Sequence, residues 1–280
     1  MKFQVASTLQ YNVKDYSTFI FNISALKSPS QSVLEESLFI EPYIRAEELY
    51  AIDLSSRSVR ITSNKTNVLK VKYNALVNHN VELVRKEKLN LVAPSGLPVD
   101  ALNYLFPSRY CQSDKLYRLA QDKFGDIPHA YDTVLSICSW INKNVEYASG
   151  STGSETSAFD TVTQRVGVCR DFAHLGIALC RALTIPARYF SCYAYKLEPP
   201  DFHACFEAYL GGKWIVFDPT ELAPLNGLIR VGTGRDAADV SVATMYGNVS
   251  FASMEVSCYV EEENFQALYL KDLGSQGICL

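Results

Sequence analysis

No stretch of this 280-residue chain approaches the roughly 20 consecutive apolar residues that a membrane-spanning helix needs. The opening MKFQVASTLQYNVKDY alternates polar and apolar residues and lacks the apolar run of a secretory leader, so it reads as a strand, and a cytoplasmic chain making no membrane contact is expected. Excess positive charge is also missing. The 26 lysines and arginines against 30 acidic residues leave a net charge of -4, which argues against a nucleic-acid partner. The eight cysteines (111, 138, 169, 180, 192, 205, 258 and 279) form no CxxC pair and no zinc-spaced cluster with histidine, so neither a metal nor a cofactor is expected. They are too few in a chain this long for a disulfide framework, and most read as small buried apolar residues. What is present, 48% hydrophobic and 20% charged residues, is the composition of a globular protein, and the length suits two moderate domains.

Short β-rich runs such as TFIFNISAL, SLFIEPYI, SVRITSN and VLKVKYNALV fill the chain to about residue 95, separated by Ser, Pro, Asn and Lys clusters. This spacing predicts an antiparallel sandwich. The linker APSGLPVDALNYLFPS follows, and then the period turns helical. SDKLYRLAQDKFG has Ser113 as a candidate N-cap and Gly125 as a stop; IPHAYDTVLSICSWINKNV places Val134, Ile137, Cys138, Ile141 and Val145 on one face. A short helix is expected over 158–165, ended by Gly167. In GVCRDFAHLGIALC and the residues after it, Phe172, Leu175, Leu179 and Leu183 share a face up to Pro186, which puts Cys169 at the start of a helix. Three β runs come next, the last two joined by Gly211-Gly212, a strong hairpin signal.

That hairpin carries chemistry. If Gly211 and Gly212 form the turn, Leu210 faces Lys213, Cys205 faces Asp218, and His203 lies two residues further along the same face, diagonal to Asp218. An imidazole oriented by a carboxylate is the base half of a nucleophilic constellation. A thiol at a helix start can supply the other half, because the partial positive charge and free N–H groups there favour a thiolate and a developing oxyanion. Each residue alone has a plainer reading: a structural cysteine, a locally bonded strand histidine, an aspartate capping a turn. His174 is expected to be a helix-packing or surface group, Asp171 a first-turn acid pointing away from the sulfur, and Arg170 an ion-pair residue. His79 and His129 fall at a strand end and a helix start.

YASGSTGSETSAFDTVTQRVGVCRDFAHLGIALCRALTIPARYFSCY, HACFEAYLGGKWIVFDPT and GRDAADVS together resemble the transglutaminase-like superfamily, in particular its bacterial cysteine-protease-like group. The resemblance spans about the central half of the chain. It implies an α+β fold whose papain-like core packs a central helix on an antiparallel sheet, behind an N-terminal β-sandwich domain. The expected division is a sandwich over 1–95, a transglutaminase-like catalytic domain over 96–225, and a C-terminal β-containing segment over 226–280 that completes or flanks it. It further implies a Cys169-His203-Asp218 triad, with Tyr147 and the Cys169 backbone N–H at an oxyanion hole, acting on peptide or protein amides through an acyl thioester. Where the family commonly reads His-Ala-Trp this chain has His203-Ala204-Cys205, and Cys192 stands where glycine usually precedes the strand tyrosine, Tyr193; both changes are expected to alter the pocket wall. No acidic cluster suggests calcium. Hydrolysis by a peptidase or amidase is the favoured activity; transamidation, or a non-catalytic scaffold that keeps the fold, are the alternatives.

Overall fold

In the first third of the chain, alternation along each strand decides which face is buried. The structure, a computed structural model, describes residues 1–51, 56–64 and 66–280. β1 (Lys2–Val13) turns Phe3, Val5, Leu9, Tyr11 and Val13 inward and leaves Lys2, Gln4 and Asn12 outside. With β2 (Ser17–Phe21), β3 (Gln31–Glu41), β4 (Glu47–Tyr50), β5 (Arg57–Ser63) and β6 (Asn67–His79) it builds two antiparallel sheets. Tyr11 meets Phe19 and Phe21 across the gap, with ring centroids 5.4 and 5.8 Å apart, so the sheets close face to face as a sandwich.

β7 (Glu82–Arg85) leads to α1 (Val99–Leu102), α2 (Ser113–Phe124) and α3 (Ala130–Asn144). Leu116, Ala120 and Phe124 of α2 are buried at four-residue spacing, and Val134, Ile137, Cys138 and Ile141 of α3 are buried at i, i+3, i+4 and i+7. Ser113 is the first helical residue of α2, not its N-cap; Gln112 holds that place with no side-chain cap bond. β8 (Glu146–Tyr147) runs parallel to β9 (Val166–Gly167), and α4 (Ala158–Gln164) lies between them. Arg165, at φ 58°, ends α4 in the left-handed conformation where Gly167 was expected to do so.

α5 (Cys169–Ala182) is buried from Asp171 to Ala182, packed by α2, α3, α4, β10 (Ala187–Ala194) and β11 (Phe202–Leu210). Gly176 in its interior weakens it as a helix but clears room for Phe206, whose Cε1 would lie 2.5 Å from a Cβ at that position. β12 (Lys213–Phe217), β11, β10 and β13 (Leu228–Gly234) form the third sheet in that order. The sandwich leans on this sheet: Tyr193 of β10 donates to the Ile23 carbonyl at 2.6 Å and bonds Ser7 at 3.0 Å, while Phe202, Ile229 and Val231 join the sandwich core. Covered by α5 and by the sandwich, β10 and β11 read as nearly continuous apolar runs.

Residues 226–280 distribute their strands widely. β13 extends the third sheet, β14 (Ala243–Tyr246) and β15 (Val249–Val260) pair with β2 and β1 of the sandwich, and β16 (Gln276–Cys279) pairs with β7. The fold is thus α+β, with a β-rich N-terminal part. No helix among the described residues is long and apolar enough to cross a membrane.

Candidate active site

The glycine pair makes the turn that the sequence suggested, with φ of 57° at Gly211 and 85° at Gly212. Register runs from Leu210 opposite Lys213 to Phe206 opposite Phe217, and Asp218 follows the last pair. His203 and Asp218 are brought together as that register requires: Nε2 and Oδ2 are 2.8 Å apart, both side chains fully buried. The other carboxylate oxygen accepts from the Thr220 N–H at 2.9 Å and the Thr220 hydroxyl at 2.7 Å, which fixes the carboxylate plane. Asn142 of α3 donates to the Pro219 carbonyl at 2.9 Å and anchors the turn from behind.

Cys169 is the first residue of α5 and is partly exposed. Valine at the N-cap, Val168, gives the first turn no side-chain acceptor, so its N–H groups are not consumed by a cap. Asp171 reaches back to the Val168 N–H at 3.0 Å, takes the Thr152 hydroxyl at 2.6 Å, and is forked by Arg170 at 3.1 and 2.9 Å. It therefore binds the preceding loop, and Arg170 also ties itself to the Gly153 carbonyl at 2.7 Å. Gly167 permits this clamp, because a Cβ there would lie 2.8 Å from that of Asp171. Tyr147 pairs with Gly167 in the β8–β9 ladder, two residues before the thiol. Burial first, then the Cys169 side chain, push the Tyr147 hydroxyl up.

With Nε2 facing Asp218, Nδ1 of His203 is buried without a hydrogen-bond partner, and the ring and the Cys169 thiol line the same cavity. Burial works against charge on this imidazole, but the Asp218 charge and hydrogen bond, with Cys169, outweigh it and hold His203 well above the usual histidine range. The remaining histidines differ. His174 is fully buried, accepts the Ala237 N–H at 3.1 Å and stacks between Tyr110 and Tyr189; burial, reinforced by Arg170, pushes it down to about 3. His79 is buried in the sandwich and pushed down to about 4, chiefly by burial, whereas His129 holds the N-cap position of α3 with no side-chain cap bond.

A cavity of about 300 Å³ opens beside Cys169 and His203. Ser191, Asp201 and Phe202 line it from the third sheet and the loop before β11, and Val240, Val242 and Met254 close it from the C-terminal segment. These residues escaped the sequence reading. Parity along β11 puts Asp201 on the His203 side, but nothing local links Met254 to residue 169. Cys192 and Cys205, expected in the pocket wall, are fully buried and are not among the residues lining the cavity. The Cys192 thiol donates to the His203 carbonyl at 3.7 Å, and burial first, then Cys192, push the Cys205 thiol up. His203, Cys205 and Asp218 form the one cluster among the described residues whose donors could hold a metal, their ligand atoms lying within 4.8 Å of one another. A metal there would take the imidazole from Asp218 and so oppose any base role for His203.

A thiol at a helix N-terminus, an imidazole on a neighbouring strand and a carboxylate orienting it define the arrangement of a thiol enzyme. Residues 117–219 match the transglutaminase-like superfamily and residues 1–100 match the bacterial transglutaminase N-terminal domain. A candidate cysteine protease from Cytophaga hutchinsonii is 51% identical, with a TM-score of 0.97, over 100% of this chain and 97% of that one. The chain belongs to the transglutaminase-like superfamily. An uncharacterised Mycobacterium leprae protein is 36% identical over 117 residues, 39% of this chain and 42% of its own length. One from Mycobacterium bovis is 31% identical over 156 residues, 49% of each. The chain spans about half the length of these curated relatives or less.

Proposed function

We propose that the protein is a thiol-dependent amide hydrolase, a cysteine peptidase or amidase, working through Cys169, His203 and Asp218. The observation that carries this reading is the imidazole held at 2.8 Å by a buried carboxylate on one side and presented to the helix-start thiol on the other. His203 takes the Cys169 proton, the thiolate attacks the amide carbon, and the negative charge gathering on the carbonyl oxygen falls to the Cys169 N–H and the Tyr147 hydroxyl. His203 then gives its proton to the departing amine, leaving an acyl thioester. Water, deprotonated by His203, attacks that thioester; the carboxylic acid leaves and the thiol is restored. Bulk water outcompetes amines unless a site concentrates them, which favours hydrolysis over transamidation.

The test is product analysis on glutamine-containing and branched peptides, with and without an added primary amine. Ammonia or new amino termini should form with wild-type protein and not with Cys169→Ala, and added amine should not divert the product. Preferential amine incorporation would make the protein a transamidase. Absence of both products would leave the scaffold reading.

A further inference from the structure

We propose that Asp201 selects substrates bearing a cationic group beside the amide presented to Cys169; this rests on the thiol-hydrolase reading. Besides His203, whose positive charge is met by Asp218, two charged side chains line the cavity, and they differ in how they are satisfied. Arg170 is forked onto Asp171 and bound to the Gly153 carbonyl, so its charge is met within the protein. Asp201 accepts one hydrogen bond, 2.7 Å from the N–H of the next residue, Phe202, through one oxygen. Among the described residues no lysine or arginine pairs with it; the His203 imidazole acts on its charge but is itself held by Asp218, so the second oxygen of Asp201 is left to whatever enters. Asp201 stands two residues before His203 and lines the cavity together with it and Cys169, which places it at the reacting end.

The rest of the wall suits the stem of such a group. Phe202, Val240, Val242 and Met254 present apolar surface, where the methylenes of a lysine or arginine side chain lie well while the charged head meets a carboxylate. At about 300 Å³ the space is at the small end of ligand sites, fitting one long side chain. A substrate α-amine offers the same charge without the stem, so the cation could come from either source.

The primary experiment reads charge selectivity at the thiol and needs no known substrate. Cys169 is modified with cationic trimethylammonium-ethyl and anionic sulfonatoethyl methanethiosulfonate, and the rates are followed by the mass of its peptide. In the wild type the cationic reagent should be favoured roughly tenfold beyond its preference by free cysteine under the same conditions, taken as a ratio of one, as expected for one partly screened charge nearby. That ratio should fall toward one in Asp201→Asn, invert in Asp201→Lys, and shrink with added salt even in unaltered protein. A ratio unchanged by Asp201→Asn and by salt, with both reagents reacting, overturns the inference while sparing the hydrolase. Failure of Cys169 to react with either reagent overturns both. On peptides, a lysine-for-norleucine exchange in N-acetylated substrates should lower KM in the wild type but not in Asp201→Asn. If the benefit appears only with free α-amines, the amine is the cation recognised; no preference for either cation overturns the inference.

Discussion

His203 and His174 are both withdrawn from water, yet they hold protons in opposite ways. Around His203 a carboxylate at 2.8 Å and a neighbouring thiol overcome the cost of burial, and the imidazole is held above its ordinary range. Around His174 the partners are a backbone N–H at 3.1 Å and two tyrosine rings, and burial takes it down to about 3. Burial is common to both, so it does not separate a candidate base from a packing group. What separates them is whether a fixed acceptor of positive charge was built alongside.

The sharpest way to break this comparison is to delete each ring. His203→Ala should lower kcat by about 10³–10⁴, the scale of losing a triad member. His174→Phe should change kcat less than about tenfold while costing roughly 1–3 kcal/mol in stability, because the buried Ala237 N–H loses its acceptor. Next, Asp218→Asn should make His203 resemble His174. With the raising influence gone and burial remaining, the alkaline limb of the pH–kcat profile should move to lower pH, with kcat down about 10²–10⁴. An unmoved alkaline limb would mean that Asp218 does not set the imidazole.

Stability against pH tests the packing side. His174 at about 3 and His79 at about 4 lie below the unfolded value of 6.5, so the unfolded chain takes up protons first. Their contribution is present above pH 6.5 and should be lost as pH falls toward 4 to 3, read as a decreasing urea midpoint. His203, raised instead, contributes fully below 6.5 and loses that contribution as pH rises through its folded value. The smallest effect concerns the helix both regions share. Gly176→Ala should lower Tm by an overpacking cost of about 1–3 kcal/mol against Phe206, partly offset by roughly 1 kcal/mol of helix preference.

Much of the site was legible because its signals are local. A two-residue glycine turn fixes parity, and parity alone put His203 near Asp218; the apolar face of α5 placed Cys169 at its start. The rest depends on distant pairing. β14 and β15 carry an alternation that would suit any sheet edge, and only the packed molecule assigns them to β2 and β1. Cys192 and Cys205 were expected in the pocket wall because they stand where the resembled family carries glycine and tryptophan, but they lie in the interior. Arg165 ends α4 in a conformation usually left to glycine, freeing Gly167 to pair with Tyr147 and to admit Asp171.

In the proposed function His203, oriented by Asp218, activates Cys169. The most direct measurement is the rate of Cys169 alkylation by iodoacetamide from about pH 5 to 10, in wild type, His203→Ala and Asp218→Asn, spanning the range where an ordinary thiol titrates. Rapid labelling is expected in the wild type, persisting below about pH 7, slowed in Asp218→Asn and lost in His203→Ala. Labelling that rises only near the ordinary thiol range, about pH 8.5, and is the same in all three proteins would contradict it.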